Sequence, residues 1–308
     1  MKVIVTAGNK GGIGKSFSSL TLAQYLVLIK NLKGALIDLD PQGNSSSSLI
    51  PMVRDPAHVT GYMPKSHPEF APHNLPEDDP HWDGISSIAD IFAGRHIYPY
   101  PTWLDNLQCF PSFASLLEDA QRVLKIDVKE KVIKRLKEFI TLLSEHSDYD
   151  FILIDTNPQF GPLTMAGLRA ATHALLPTEL EQYGVNGTIG MIQAVSQEQL
   201  RRPKDETIKI AGILPNKVRR TAVHTKFLND LRSIDGVSEW LLPPIALRTV
   251  YAELVVEDAK PNCVFNLPPS HPSRLESERW CSYVYERVFH DKYDTIVEEY
   301  QEEGITND

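Results

Sequence analysis

Three stretches of this chain carry residue types and spacings that could do chemistry. The first is Lys10-Gly11-Gly12-Ile13-Gly14-Lys15-Ser16. Glycines let the backbone curl until several N–H groups point inward, and a helix starting there adds partial positive charge, so the run suits a phosphate group. Lys15 is placed to reach terminal phosphates, and the Ser16 hydroxyl is placed for a magnesium ion. A plain glycine turn is the other reading, but it leaves Lys15-Ser16 without a task. The usual phosphate-loop pattern asks for glycine at the position of Asn9; here an extra lysine, Lys10, stands at the front instead.

The second stretch is Asp38-Leu39-Asp40-Pro41-Gln42-Gly43-Asn44 and the third is Phe151-Ile152-Leu153-Ile154-Asp155. Apolar runs ending in acids suit central parallel strands, whose C-terminal ends face a ligand crevice. Two acids at one strand end after a phosphate loop point to a magnesium and water site, against the alternative of a solvated turn. Asp155 is placed to support the magnesium shell, with 156–161 as the loop that senses the γ-phosphate.

The elements that must position these residues follow from the patterning. Strand, glycine loop and helix open the chain, and further strands are expected at 35–40, 107–111, 151–155, 174–179, 208–216 and 240–245. Between them lie helical stretches: 85–92 closed by Gly94, one or two amphipathic helices within 113–146, and others ending near Leu200, Leu231 and Phe289. The fold class expected is α/β, a mostly parallel twisted sheet with helices on both faces, of P-loop NTPase type. One domain is expected over 1–290, with an acidic tail at 291–308. Seven of the 22 prolines fall in 51–82, with His58, His67, His73 and His81, so 51–84 is expected to be an irregular, solvated insertion; the histidines lack metal-ligand spacing.

Composition narrows the classes. The chain has 308 residues, 42% hydrophobic and 23% charged, as in an ordinary globular protein. No run approaches the roughly 18 apolar residues of a membrane span. The first strand begins at Lys2, so no signal peptide is expected. Three scattered cysteines (Cys109, Cys263, Cys281) suit reduced thiols in the cytoplasm.

Taken in order, the three motifs resemble those of the ParA/MinD family of deviant Walker A ATPases, and most closely its ParA (Soj-like) partition branch. The resemblance covers nearly the whole chain apart from the 51–84 insertion, and it implies ATP and Mg2+ as cofactors. By it, Lys10 is similar to the signature lysine that crosses a dimer interface to a partner's nucleotide. Lys15 is the phosphate-loop lysine and Asp40 the acid that positions the attacking water, which makes Lys10, Lys15 and Asp40 the catalytic candidates. Residues Lys10, Gly11, Gly12, Ile13, Gly14, Lys15, Ser16 and Phe17 line the nucleotide, and Asn216 reads the adenine edge. Ser16, Asp38 and Asp155 surround the magnesium. Two departures stand out: Phe17 replaces the usual second hydroxyl residue, and Asn157 replaces a proline after Asp155.

The resemblance further implies a homodimer on ATP binding, nonspecific DNA as a partner, and a ParB-like protein that stimulates hydrolysis. Lys217, Arg219, Arg220 and Lys226, joined by Arg201, Arg202, Lys204 and Arg248, are the candidate DNA surface on a chain of net charge −9; a solvated charged face is the alternative. A helix-turn-helix ahead of the loop is not expected. The expected setting is cytoplasmic and nucleoid-associated, driving plasmid or DNA partition. A membrane-cycling MinD-like role would need a basic amphipathic C-terminal helix, whereas the tail is acidic (Glu298, Glu299, Glu302, Glu303). A nitrogenase-type electron-transfer role would need cysteines near residue 155. A small-molecule ligase or kinase on the same scaffold is a further alternative.

Overall fold

The strand β1 (Lys2–Thr6) sends Val3 and Val5 into one hydrophobic core and Ile4 into another. The neighbouring strands β2 (Gly34–Asp38) and, later in the chain, β7 (Phe151–Asp155) divide the same way: Ala35, Ile37, Ile152 and Ile154 face one core, Leu36 and Leu153 the other. Side chains alternate across a strand, so strands apolar at every position need a covering layer on each side.

The computed structural model describes residues 1–77, 79–123, 125–254 and 262–293. The remaining strands are β3 (Met52–Arg54), β4 (Tyr62–Pro64), β5 (Tyr100–Pro101), β6 (Leu107–Phe110), β8 (His173–Glu179) and β9 (Lys209–Asn216). The helices are α1 (Lys15–Leu28), α2 (Asn44–Leu49), α3 (Asp90–Ala93), α4 (Ala114–Gln121), α5 (Ile126–His146), α6 (Pro162–Ala170), α7 (Gln182–Arg201), α8 (Ala222–Ser233), α9 (Val250–Glu253) and α10 (Pro272–His290). Seven strands form one sheet in the order β5-β6-β2-β7-β1-β8-β9, parallel except for the edge strand β5. Helices α4, α5, α6 and α7 contribute to one core, and α1 and α10 to the other. Burial of each large aliphatic side chain in such layers contributes about 1.5–3 kcal/mol. The expected α/β sheet with helices on both faces is what forms.

Amphipathic spacing sets the two helices within 113–146. In α5, Val132, Ile133, Leu136 and Ile140 are buried, while Ile126 and Leu142 stand exposed. Leu124, between the two helices, lies outside the described residues.

Four expectations need correction. The segment 240–245 is not a strand: Leu241 makes an isolated parallel bridge to Ile213, and the Leu242 and Ile245 amides donate to the Ile213 and Pro215 carbonyls, but Pro243 and Pro244 between them have no N–H to complete a ladder. The helix expected over 85–92 shrinks to α3. The Ile88 amide is spent on the Pro111 carbonyl, and the Ser86 hydroxyl accepts from the Tyr98 amide, which holds this stretch against the sheet edge. For the helix ending near Leu200 the turn-like glycines of 183–187 suggest a lead-in, but α7 begins at Gln182 and this stretch is helical.

The insertion is the fourth. Most of its described residues are exposed or half-exposed, as expected, but it also contains the antiparallel pair β3–β4 and a packed aromatic cluster. The His67 ring lies 4.5 Å from Tyr100 and 5.5 Å from Trp82, between ring centres, and Trp82 packs on Tyr98 at 4.3 Å with the rings tilted by 33°. His67 is buried and its Nε2 contacts the Pro99 carbonyl oxygen at 3.1 Å; His58 pairs with Glu118 of α4 at 2.9 Å. Aromatic rings bury enough area to order a proline-rich loop. The acidic tail beyond residue 293 lies outside the described residues.

A buried histidine makes stability depend on pH. His173, at the start of β8, is only 6% exposed. Burial first, then the nearby Lys2 and Lys209 charges, lowers its pKa to about 4 from an ordinary 6.5, with Asp291 opposing. Between those values the unfolded chain binds the extra proton, so the contribution is whole above pH 6.5 and is lost as pH falls toward 4. A shift of that size corresponds to about 3 kcal/mol. Urea unfolding at pH 7.5 and pH 4.5 should show the native protein losing more stability than His173→Gln; equal losses would remove the assignment.

Candidate nucleotide and phosphate site

The phosphate loop joins β1 to α1 at the C-terminal edge of the sheet. Gly14 caps α1 in the left-handed region, at φ +93°, where a side chain is strained. A Cβ there would also meet Asn216 Nδ2 at 2.0 Å. No side chain caps α1, so the first-turn amides, including those of Ser16 and Phe17, stay available to an anion.

Lys15 is 6% exposed, and its Nζ donates to the Lys10 carbonyl at 3.1 Å, curling over the loop. Burial lowers its pKa, and the Asp155 and Asp40 charges oppose that. Asn216 reaches the loop itself: its Nδ2 donates to the Ile13 carbonyl at 2.9 Å and its Oδ1 accepts from the Lys217 amide at 2.9 Å.

Parallel pairing of β2 with β7 makes Asp38 and Asp155 direct neighbours at the strand ends. Both are fully buried. Asp38 is saturated with donors: the Asp40 amide on Oδ1 at 3.1 Å, and the Ser46 amide and hydroxyl on Oδ2 at 2.8 and 2.7 Å. Asp155 takes the Ser45 hydroxyl on Oδ2 at 2.7 Å, while its Oδ1 is buried without a hydrogen-bond partner. Burial, then the Asp155 and Asp40 charges, drives the Asp38 pKa well up. Burial raises Asp155 to about 6, with Ser16 and Ser45 pulling it down. Asp40 is 7% exposed; burial raises its pKa against the Gln42 amide on Oδ1 at 3.0 Å and the Lys15 charge.

These residues fit a magnesium ion. An unpartnered buried carboxylate oxygen beside a serine hydroxyl is an all-oxygen donor set for a hard cation, which needs only one or two carboxylates when phosphate supplies the rest. Asp155 and Ser16 would hold it, with Asp38 behind them, since its own oxygens are occupied. Among the described residues no cluster of three or more histidine, cysteine or acidic side chains forms a separate metal site.

Other expected residues separate. The ring of Phe17 packs edge-on against Tyr251 of α9, 4.9 Å between centres, so only its backbone belongs to the loop. Lys10 pairs in its own chain with Glu179 at 3.2 Å and with Glu181. The Glu181 bond is the main reason its pKa rises. Lys217 contacts the Gly12 carbonyl and Glu179 (3.1 Å), so it stands with the phosphate loop rather than with the other basic candidates. Burial alone would raise the Glu179 pKa, but Lys217 and Lys10 bring it below the ordinary value.

Arg219, Arg220 and Lys226 are exposed, in the turn before α8 and on its first half. The wider basic group does not gather there. The Arg202 side chain is only 5% exposed, with its guanidinium on the Leu168, Arg169 and Thr207 carbonyls, and Arg248 grips Glu276. Arg201 and Lys204 precede β9 whereas Arg219 follows it, and a strand of that length spans about 25 Å.

The patterning gave no warning of Glu179 and Glu181 as partners of Lys10, or of Ser45, Ser46 and Ser112 around the acids. The one available signal was the serine run 45–48 directly after an acid-bearing turn.

A parallel sheet with a phosphate loop on its first strand, one buried acid on the adjacent β7 and another on β2 beyond it defines a P-loop nucleotide-binding protein. The family described as "AAA domain" matches residues 1–210, and the chain belongs to it, among the ParA/MinD-type ATPases. Protein IncC of Escherichia coli is 30% identical over 80% of this chain and 58% of its own length. The chromosome-partitioning ATPase Soj of Treponema pallidum is 29% identical over 64% of this chain and 65% of its own. The chain thus spans less than two thirds of the length of these curated relatives. Among solved structures, an ATP complex of a McdA variant from Cyanothece shares the fold, with TM-score 0.68 and 20% identity over 93% of this chain and 95% of that one.

The loop geometry can be checked directly. Gly14→Ala should abolish ATP binding measured by calorimetry and destabilise the protein by about 1–3 kcal/mol. Wild-type affinity in the variant would show that the left-handed cap and its Asn216 contact are dispensable.

Proposed function

We propose that this chain is a partition ATPase that closes into an ATP-bound sandwich dimer, binds DNA without sequence preference, and hydrolyses ATP on stimulation by a ParB-like partner. The observation that carries the proposal is the division of labour between two lysines. Lys15 is buried in the loop and serves it, while Lys10 is half-exposed at the front, paired among the described residues with Glu179 and Glu181. A second cation that its own loop does not use is available to a phosphate on another subunit. Cations delivered in trans speed phosphoryl transfer by about a thousandfold or more.

In the proposed reaction, the loop amides and Lys15 neutralise charge developing on the γ-phosphate. Asp40, whose pKa burial raises, orients and accepts a proton from the attacking water. A bound magnesium ion would add Lewis-acid stabilisation of the phosphate oxygens. Asn216, whose Nδ2 donates to the Ile13 carbonyl, braces the loop, and in this reading it would also meet the adenine edge. DNA phosphates would meet Arg219, Arg220 and Lys226, which are exposed. The similarity to the chromosome-partitioning ATPase Soj supports a DNA cargo. The proposed setting is the cytoplasm at the nucleoid; among the described residues no helix is long and apolar enough to cross a membrane.

The test is a DNA-shift titration with ATP, ADP and no nucleotide, run beside anionic liposomes. ATP-dependent, salt-sensitive DNA binding without liposome binding is expected; membrane binding alone would sink the proposal. Arg219→Glu with Arg220→Glu should reduce DNA affinity at least about tenfold and leave ATP binding intact. Asp40→Ala should still bind ATP and dimerise in sedimentation experiments while turnover stops; normal turnover would remove Asp40 from its role.

A further inference from the structure

The two neighbouring acids, Asp38 and Asp155, differ in a way that strand register does not explain. They sit side by side on equivalent strands and are equally buried. Yet one has every accessible oxygen occupied and the other presents a bare oxygen. The difference comes from consecutive serines at the start of α2.

Gly43, in the left-handed region at φ +63°, begins that helix and offers no side chain to cap it. Asp38, arriving from β2, substitutes: the third amide of the helix, that of Ser46, points at Asp38 Oδ2, and the Ser46 hydroxyl joins it. Ser46 Oγ also accepts from the Ser112 amide at 3.0 Å, and the Ser112 hydroxyl donates to the Asp40 carbonyl at 2.7 Å. All these serines are fully buried. The network locks the turn that carries Asp40, and the helix turn so fixed presents Ser45 to Asp155. The Ser45 hydroxyl occupies Oδ2 at 2.7 Å, which leaves Oδ1 as the free oxygen of the pair.

We infer that Ser45 is a positioning residue for the cation that accompanies the nucleotide: its hydroxyl fixes the Asp155 carboxylate so that Oδ1 is aimed into the site beside Ser16. Without it the carboxylate rotates about its terminal bond, a broad, roughly two-fold torsion, and the oxygen is no longer held in place. A hydrogen-bond partner standing behind a metal ligand is typically worth 10–100-fold in metal affinity. The inference rests on the proposal that the chain binds ATP with magnesium.

The experiment measures retention of a fluorescent ATP analogue while MgCl2 is titrated, which reads binding and not turnover. Ser45→Ala should raise the magnesium midpoint at least about tenfold while affinity for the magnesium-free analogue stays unchanged. Ser45→Cys keeps the shape with a weaker donor and should fall between the two, so it carries the test if the alanine variant does not fold. A midpoint within about twofold of wild type in the folded variants overturns the inference. A wild-type protein whose analogue affinity ignores magnesium overturns instead the proposal beneath it, so the two failures are distinguishable.

Discussion

Two carboxylates that meet in a dry interior set the terms for this structure. Parallel pairing of β2 with β7 leaves Asp38 and Asp155 adjacent at the strand ends, where burial disfavours charge on either. Around them the protein has placed hydroxyls, amides and one buried lysine. The Ser46 pair of donors, the Asp40 amide, Ser45 and Lys15 all serve to make that concentration of negative charge tolerable. The site is thereby built for a ligand that brings both a cation and phosphates, because each answers a charge the protein leaves partly unanswered.

That constraint also orders the periphery. The turn after β2 must fold back tightly enough for α2 to cap on Asp38. Ser112, after β6, then ties the Asp40 carbonyl to the next strand in the sheet. The aromatic insertion joins the same region through the Ile88 amide on the Pro111 carbonyl, immediately before Ser112. Lys10 and Lys217 face each other across Glu179 at the other flank of the loop. The phosphate loop is thus gripped from both sides, by acids and serines on one and by an ion network on the other.

Most of the sheet was legible because its signal is local and repetitive. Val3-Ile4-Val5 or Ile152-Leu153-Ile154 can only be central strands, and the glycines and lysine after β1 announce a phosphate loop. What escaped the pattern depends on contacts distant in sequence. Ser45 and Asp155 are separated by 110 residues, and Lys10 and Glu179 by 169. Nothing local distinguishes these partners from solvated neighbours. The basic surface illustrates the same limit: Arg202 looks like Arg219 in the sequence, yet one is sealed under carbonyls and the other is exposed. Proline density at 51–84 reports what the backbone cannot do and is silent on what His67, Trp82 and Tyr98 do together.

The alternation along β1, with Val3 and Val5 on one face and Ile4 on the other, has a mutational consequence. Among the described residues the two cores are separate clusters on opposite faces of the sheet, so a void opened in one layer is not readily filled by side chains relaxing from the other. Substitutions in opposite layers that share no partner should then combine additively, while pairs within a layer should not. The fold behaves as two packing problems solved on one backbone, and sequence drift in one layer is free of the other so long as the strand ends stay in register.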